Sequence, residues 1–123
     1  MNYKELADLL YPDVNETIEE LEKKYPKRKL NDKAEVTRFA PSPTGRMHMG
    51  NLFASFVPET FAHQSNGIFY LRIEDTDDKR TIENGVEHII EDFKEFDLKV
   101  DEDPINGGEY GPYKQRDRIN IYH

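Results

Sequence analysis

The sequence predicts an α/β fold: a parallel sheet built from a strand–helix–strand (βαβ) unit, preceded by a small helical N-terminal extension. Two strand-like runs, residues 35–40 and 68–73, flank an apolar helical run at residues 52–61. The second strand-like run is apolar until its last residues, as is typical of a strand buried on both faces of a parallel sheet. We expect the extension to occupy residues 1–33 and the α/β unit residues 34–123.

The composition excludes several classes of protein. The chain contains no cysteine, which excludes a disulfide scaffold and a thiolate zinc site and fits a reducing cytoplasm. Its net charge of −8 makes it a poor general binder of polyanions, so a contact with RNA has to be local or lie in other parts. No apolar run is long enough to span a bilayer. We therefore expect a cytoplasmic protein that does not enter the membrane.

The extension is predicted to be a helical hairpin. Apolar residues recur at helical spacing before and after Pro12, which breaks the run, and Asp13 with Glu16 predicts a capping box for the second helix. The most basic part of the chain, residues 23–29, follows that helix. Two interpretations of it stay open: a contact with an RNA backbone, or a solvated helix end where basic side chains favour the negative end of the dipole. We expect a packing or docking element without chemistry of its own.

The loop between the first strand and the first helix of the α/β unit, residues 41–50, predicts a phosphate site. Two prolines stiffen this loop and remove amide donors, and Gly45 and Gly50 let a ligand approach the main chain closely. The helix that follows directs its free N–H groups and the positive end of its dipole at the loop. Arg46 and His48 are the polar side chains expected beside a bound phosphate.

That first helix carries two backbone signals. Pro58 lies inside it, forfeits one hydrogen bond and should kink or split the helix. Gly67 is the expected C′ stop after Asn66. The helix also has a wide apolar face, which is typical of a helix that faces the core. Its members are Leu52, Phe53, Phe56, Val57, Thr60 and Phe61.

Further elements follow the second strand. Apolar residues at helical spacing predict an amphipathic helix over residues 81–96 that covers a face of the sheet. Residues 98–100 are predicted as a short third strand, and residues 101–112 as a loop rich in proline and glycine. Residues 113–123 are predicted as the start of another helix.

One pocket is predicted at the carboxyl ends of the strands, where ligands of open parallel sheets bind. Both the loop and residues 74–77 lie at such ends. Arg38 in an otherwise apolar strand is costly unless paired, and its guanidinium suits a substrate carboxylate. The alternative is an ion pair with Glu35, Glu74 or Asp75. Glu74, at the end of a buried strand, suits an ammonium group.

Three stretches of the α/β unit occur in an order that carries a family resemblance. The first stretch joins residues 41–45 (PSPTG) and residues 48–51 (HMGN), the second is residues 72–77 (RIEDTD), and the third is residues 111–115 (GPYKQ). Together they are more specific than any one alone. They resemble the glutamyl-tRNA synthetases, which are class I aminoacyl-tRNA synthetases. The "HIGH"-type element of that class would lie at residues 48–51. The resemblance runs from the first strand to the end of the chain.

The resemblance implies a fold and a set of site residues. The fold is the first half of the Rossmann-like nucleotide-binding fold of class I synthetases. The residues that would bind glutamate are Arg38, Ala40, Ser42 and Glu74. Those that would bind ATP are Pro43, Thr44, Gly45, His48 and Gly50. The catalytic residues would be His48, Gly50 and Asn51. The sequence departs from the family pattern at Met49 and Asn51.

The activity implied by the resemblance is that of a glutamate–tRNA ligase, which activates L-glutamate with ATP and Mg²⁺ and transfers it to tRNA(Glu). Tyr113 and Gln115 would border the pocket or the tRNA 3′ end, unless Tyr113 belongs to the core. The family's lysine-bearing "KMSKS" loop is absent from these residues. We therefore expect the N-terminal part of such an enzyme, unable by itself to charge tRNA at a useful rate. Most tRNA contacts would lie elsewhere, and the whole enzyme would be a monomer.

Two other classes stay open at this point, and a metal site held by the protein is not expected. One class is a tRNA-modifying paralogue of the glutamyl-queuosine type; the other is a non-enzymatic binding module whose extension docks a partner. We expect three aspartates to cap a turn and pair with Lys79 and Arg80 rather than to bind Mg²⁺. These aspartates are Asp75, Asp77 and Asp78. The histidines without companions at metal-ligand spacing are His63, His88 and His123.

Overall fold

The computed structural model describes residues 2–77 and 79–122. The elements found in them, in chain order, are α1 (Tyr3–Leu10), α2 (Ile18–Lys24), β1 (Val36–Phe39), α3 (Met49–Gln64), β2 (Ile68–Leu71), α4 (Gly85–Glu95), a 3-10 turn (Arg116–Arg118) and α5 (Ile119–Tyr122). Asp78 and His123, which were weighed above as metal ligands, lie outside the described residues.

The predicted βαβ unit is confirmed. β1 and β2 pair in parallel, in a register that sets Val36 opposite Ile68 and Phe39 opposite Leu71. Helix α3 connects the two strands and packs on both. Both strands are shorter than predicted, although the pairing continues past β2, where the Arg72 N–H donates to the Phe39 carbonyl at 3.0 Å.

The predicted third strand, residues 98–100, does not form. Leu98 still belongs to the end of α4: its N–H donates at 2.8 Å to a carbonyl in the last turn of that helix, after Asp97 in a left-handed conformation (φ 54°). The chain meets the sheet further on, where the Glu102 carbonyl accepts a hydrogen bond from the Leu71 N–H at 2.9 Å. The end of the helix therefore takes up Leu98, the first of the three residues that the apolar pattern assigned to a strand.

The helix predicted over residues 113–123 also starts later than expected. Residues 113–115 run beside the end of β2 instead. The Ile73 N–H donates to the Tyr113 carbonyl, and the Gln115 N–H donates to the Ile73 carbonyl, both at 2.9 Å. Helical structure begins at Arg116. Pairing with the strand outweighs the local helix signal in these residues.

The hydrophobic core lies between one face of the sheet and the helices α3 and α4. Phe69, Leu71 and Ile73 are fully buried there. The rings of Phe39 and Phe69 lie 5.9 and 6.3 Å from the ring of Phe93 in α4. Helix α4 therefore covers the sheet as predicted, but it begins later than its apolar pattern, because the residues before it are bonded to the loop described below.

Most of the apolar face of α3 does not lie in the core. The buried residues of this helix are Ser55 and Ala62, whereas Phe53, Phe56 and Phe61 keep 72, 57 and 59 % of their surface exposed. Small side chains let the helix approach the sheet closely, and the periodicity of apolar residues does not reveal which side does so. Of the expected core face of α3, Leu52 packs against the core, whereas its phenylalanines lie at the surface of the described chain.

Two backbone predictions for α3 need correction. Pro58 does not split the helix, which is continuous over its whole length, and the Thr37 hydroxyl donates to the Pro58 carbonyl at 2.7 Å. The left-handed residue after the helix is Asn66 (φ 56°) rather than Gly67. Gly67 is required for another reason: a Cβ there would lie 1.8 Å from the carbonyl oxygen of Glu35.

The extension forms two helices, each opened by a capping box. The boxes join Asn2 to Glu5 and Thr17 to Glu20. The predicted box of residues 13 and 16 is therefore wrong, because the second helix begins only after Thr17. No residue of α1 or α2 is buried, so the packed hairpin expected from the sequence is not observed in the described chain. The division of the chain at residue 33 stays a prediction.

Candidate active site

The loop between β1 and α3 is held against two neighbouring segments. The Pro41 carbonyl accepts a hydrogen bond from the Glu74 N–H at 2.9 Å, and the Pro43 carbonyl accepts one from the Ile82 N–H at 3.0 Å. Helix α4 opens so close to the loop that a Cβ on Gly85 would lie 2.6 Å from the Pro43 carbonyl oxygen. The loop and Glu74, which the sequence places in one pocket, are therefore adjacent.

Arg46 anchors the loop, whereas the sequence placed it beside a phosphate. Its guanidinium contacts two carboxylates of α4, Asp92 at 2.6 Å and Glu91 at 3.1 Å. Asp92 also accepts a hydrogen bond from the Met47 N–H at 2.7 Å. Burial acts to raise the pKa of Asp92, but the hydrogen bonds from Met47 and Arg46 outweigh it and the pKa is lowered. Sequence reasoning missed Asp92, although a carboxylate on the buried side of an amphipathic helix signals a partner.

His48 is the residue immediately before α3, and its side chain is exposed. Its carbonyl accepts hydrogen bonds from the N–H groups of Asn51 at 2.9 Å and Leu52 at 3.1 Å. A Cβ on Gly50 would lie 3.1 and 3.2 Å from two atoms of the His48 ring, so the imidazole lies directly beside Gly50. The amides of Met49 and Gly50, which open α3, have no acceptor within the helix. These amides, the helix dipole and the imidazole together make a geometry suited to an anion.

The rest of the loop turns sharply and exposes its polar side chains. Gly45 has φ of 143°, a conformation that L side chains rarely adopt, so the turn itself requires glycine. The Thr44 N–H donates to the Ser42 carbonyl at 2.8 Å, and the side chains of both residues are exposed. Ala40, half-buried, joins β1 to the loop. These positions suit the predicted contacts with glutamate and ATP, whose assignment to single residues stays a prediction.

Arg38 and Glu74 face each other at the end of the sheet. Their side chains are 37 and 41 % exposed, and the Arg38 Nη1 lies 3.8 Å from the Glu74 Oε1. The ion pair considered as an alternative for Arg38 is therefore present, but it is long and open to solvent. An opposed cation and anion in this arrangement can accept a zwitterion, because each side chain then gains a partner of opposite charge.

The acidic turn after β2 behaves in part as predicted. Asp77 accepts hydrogen bonds from Arg80 Nε at 2.7 Å and from the Lys79 N–H at 3.1 Å, and the bond from Arg80 in particular lowers the pKa of Asp77. Asp75 instead accepts a hydrogen bond from the Arg116 N–H at 3.0 Å. In residues 2–77 and 79–122, no group of three or more acidic or histidine residues is placed to hold a metal ion.

The basic run that begins in the last turn of α2 supplies Arg28 to an ion pair that neither sequence interpretation anticipated. Arg28 binds both carboxylate oxygens of Glu102 at 2.5 Å, and the Tyr113 hydroxyl donates to the same carboxylate at 2.6 Å. Burial and the hydrogen bond to Glu102 raise the pKa of Tyr113 to about 12. Tyr113 is 4 % exposed and therefore belongs to the core rather than to the pocket. Lys24, earlier in the run, pairs with Glu16 at 2.9 Å.

Comparison with known proteins identifies the class of this fold and site. A sequence model of the family "tRNA synthetases class I (E and Q), catalytic domain" matches residues 35–123. The chain belongs to this family, and the resemblance stated from its motifs is confirmed. No helix in the described part of the chain is long and apolar enough to cross a membrane.

The relatives of the chain are glutamate–tRNA ligases. It is 54 % identical to the enzyme of Acetivibrio thermocellus and 49 % identical to that of Clostridium perfringens, over 99 % of this chain and 23 % of each relative. Among solved structures, it resembles a glutamate tRNA ligase from Elizabethkingia meningosepticum in complex with its amino acid. That match has a TM-score of 0.69 and 42 % identity, and covers 74 % of this chain and 18 % of the other. The chain thus spans about a quarter of the length of these curated relatives.

Proposed function

We propose that this chain supplies part of the glutamate and ATP site of a glutamate–tRNA ligase. The observation that carries the proposal is the opposed pair of Arg38 and Glu74 beside the loop that ends at His48. A free amino acid carries a carboxylate and an ammonium group, which match these two side chains. The N-terminus of α3 and the exposed imidazole offer donors to the phosphates of ATP. The identity of the curated relatives supports the same assignment.

The chemistry follows from positioning and charge. Arg38 binds a carboxylate of glutamate, Glu74 binds its ammonium group, and Ala40 and Ser42 lie along the amino-acid side of the loop. The α-carboxylate then attacks the α-phosphorus of ATP in line, the bond to the bridging oxygen breaks, and pyrophosphate leaves glutamyl-adenylate behind. His48 and the first amides of α3 stabilise the charge that grows on the phosphates. The terminal ribose of tRNA(Glu) afterwards takes the glutamyl group and AMP leaves.

Mg²⁺ is assigned to the nucleotide rather than to a cluster of protein ligands. The described residues offer no such cluster, and Mg²⁺ is commonly held by substrate phosphates with one or two carboxylates. Its chemistry there is to neutralise charge on the leaving pyrophosphate. The proposal includes a cytoplasmic location and a monomeric whole enzyme. The tRNA-modifying and non-enzymatic alternatives are not favoured, because the matched relatives are glutamate–tRNA ligases.

A chimera tests this function. In it the chain replaces the matching part of the Acetivibrio thermocellus ligase, to which it is 54 % identical. We expect the chimera to charge tRNA(Glu), and Arg38→Ala and His48→Ala each to lower the rate by about a hundredfold or more, as for a lost transition-state donor. Lys99→Ala, which removes an exposed charge elsewhere, is the matched control. A folded chimera that charges tRNA equally well with Arg38→Ala would contradict the proposal.

The chain alone offers a second test. A non-hydrolysable glutamyl-adenylate analogue at about a hundred times its dissociation constant should stabilise the chain by roughly 2.7 kcal/mol. Both site variants should lose that shift. We expect no useful tRNA charging by the chain alone, because the lysine-bearing loop of the family is absent from its sequence.

A further inference from the structure

A second concave site lies where the end of the extension meets the sheet, and none of its lining residues belongs to the proposed glutamate and ATP site. This cavity of about 190 Å³ is several times the volume of one water, which is about 30 Å³. Three arginines and three tyrosines make up most of its wall: Arg28, Arg72, Arg118, Tyr70, Tyr110 and Tyr113. None of the described residues that line it carries a carboxylate.

Two of the arginines present buried nitrogen atoms without a hydrogen-bond partner. The Nε atoms of Arg72 and Arg118 are both in this state, and only one other described side-chain nitrogen, in His88, shares it. Arg118 is held in place by its Nη1, which donates to the carbonyls of Tyr110 at 3.3 Å and Pro112 at 2.9 Å. A buried donor that lacks an acceptor is costly. These Nε atoms have almost no exposed surface and lie behind the cavity wall, so a ligand in the cavity would meet the outer Nη atoms of the two arginines.

The charge of the cavity wall points to a particular kind of acceptor. Arg28 is neutralised by its bidentate contact with Glu102, and the raised pKa of Tyr113, about 12, keeps its phenol uncharged. Arg72 and Arg118 leave two positive charges. A phosphate group carries between −1.5 and −2 charges at neutral pH, and the guanidinium fork matches the geometry of its oxygen atoms.

We infer that this cavity binds a phosphate group through the guanidinium groups of Arg72 and Arg118, with the tyrosine rings as its walls. The group can come from inorganic phosphate or from a nucleotide, since both present the same oxygen atoms. Val36 also lines the cavity and is 43 % exposed, so a side chain placed there reaches the site from the open side.

Arginine Nε–H spectra of the chain measure this binding directly. Inorganic phosphate and AMP are titrated in turn, with chloride at matched ionic strength as the reference. We expect saturable shifts of the Arg72 and Arg118 signals, and Arg72→Gln should weaken the binding about tenfold or more. Arg80→Gln, the same change at an exposed arginine, and His48→Ala at the proposed ATP site should leave it unchanged. Equal binding in Arg72→Gln, or a response lost in His48→Ala, would overturn the inference.

A second variant keeps the inference testable if Arg72→Gln fails to fold. Val36→Glu places a carboxylate in the cavity, so it should raise the melting temperature in phosphate-free buffer and abolish the response to phosphate. A response to AMP but not to inorganic phosphate supports a nucleotide as the source, and the reverse result supports the free ion. No response to either overturns the inference. If the chain alone does not unfold cooperatively, the same titrations use the chimera described above.

Discussion

The ion pair between Arg28 and Glu102 predicts a large loss of stability when Arg28 is removed. The side chains are 16 and 9 % exposed, so Arg28→Ala leaves a buried carboxylate with only the Tyr113 hydroxyl as a side-chain donor among the described contacts. Breaking one partner of a buried pair costs about 3 kcal/mol or more. With an unfolding entropy of about 2.1 cal/mol/K per residue over 123 residues, that cost lowers the melting temperature by roughly 12 °C.

Thermal unfolding of the wild type and three variants checks this magnitude. Arg28→Ala should show the full loss, whereas the double variant with Glu102→Gln should recover much of it, because no buried charge is then left unpaired. Lys24→Ala breaks the exposed contact with Glu16 and should leave the melting temperature unchanged. If Arg28→Ala had the same melting temperature as the wild type, the reasoning would be refuted, and the extension would not dock through this pair.

The same pair predicts a dependence on pH. The hydrogen bonds from Arg28, above all, lower the pKa of Glu102 from its ordinary value of 4.5. A lowered carboxylate pKa gives stability that is present above the unfolded pKa and is lost as the pH falls through the folded pKa. The difference between wild type and Arg28→Ala should therefore be largest near neutral pH and shrink as the pH falls through the folded pKa of Glu102, below the unfolded value of 4.5. A difference that grows on acidification would contradict this cause.

Three further predictions concern the scaffold around the site. Burial acts to lower the pKa of His63, but hydrogen bonds to Asp101 and a neighbouring glutamate outweigh it, and the pKa is raised. The stability that this gives should be full below about pH 6.5 and lost as the pH rises through the folded pKa. His63→Gln should therefore flatten that part of a plot of melting temperature against pH. Gly67→Ala should destabilise the chain by about 2–3 kcal/mol in urea unfolding, because its Cβ would overlap the carbonyl of the residue before β1. Asp92→Ala should lower the free energy of unfolding by about 1–3 kcal/mol, since it leaves the Met47 N–H without its acceptor. The same variant should raise the KM for ATP in the chimera. An unchanged KM would show that the loop does not need this anchor.

Much of the fold could be predicted because its signals are local. The apolar run of β2, the helical period of α4 and the stiff loop before α3 each depend on a few consecutive residues, and they suffice to define a parallel βαβ unit. The sequence alone indicated Arg38 in the first strand, His48 in the loop and Glu74 in the acidic segment after β2 as site residues. The structure places Arg38 beside Glu74 and bonds the Glu74 amide to the loop that ends at His48.

The errors arose where a distant segment competes with a local signal. Residues 98–100 satisfy a strand pattern, but hydrogen bonds to the end of α4 hold Leu98 in the cap of that helix. Residues 113–115 satisfy a helix pattern, but Ile73 offers them backbone partners beside β2. Local propensity is worth a few tenths of a kcal/mol per residue, so satisfying buried backbone groups decides such cases.

The sequence by itself determined the class of fold, because periodicity and turn chemistry act over short distances, and its motifs carried the resemblance to the family and the predicted site residues. Only the tertiary structure decided which side of α3 faces the sheet, and that Arg46 pairs with Asp92. It also decided that Arg28 pairs with Glu102, 74 residues along the chain. A charge takes whichever partner folding brings near it, and burial then makes that pairing obligatory. Neither the proximity nor the burial can be read from the residues next to Arg28.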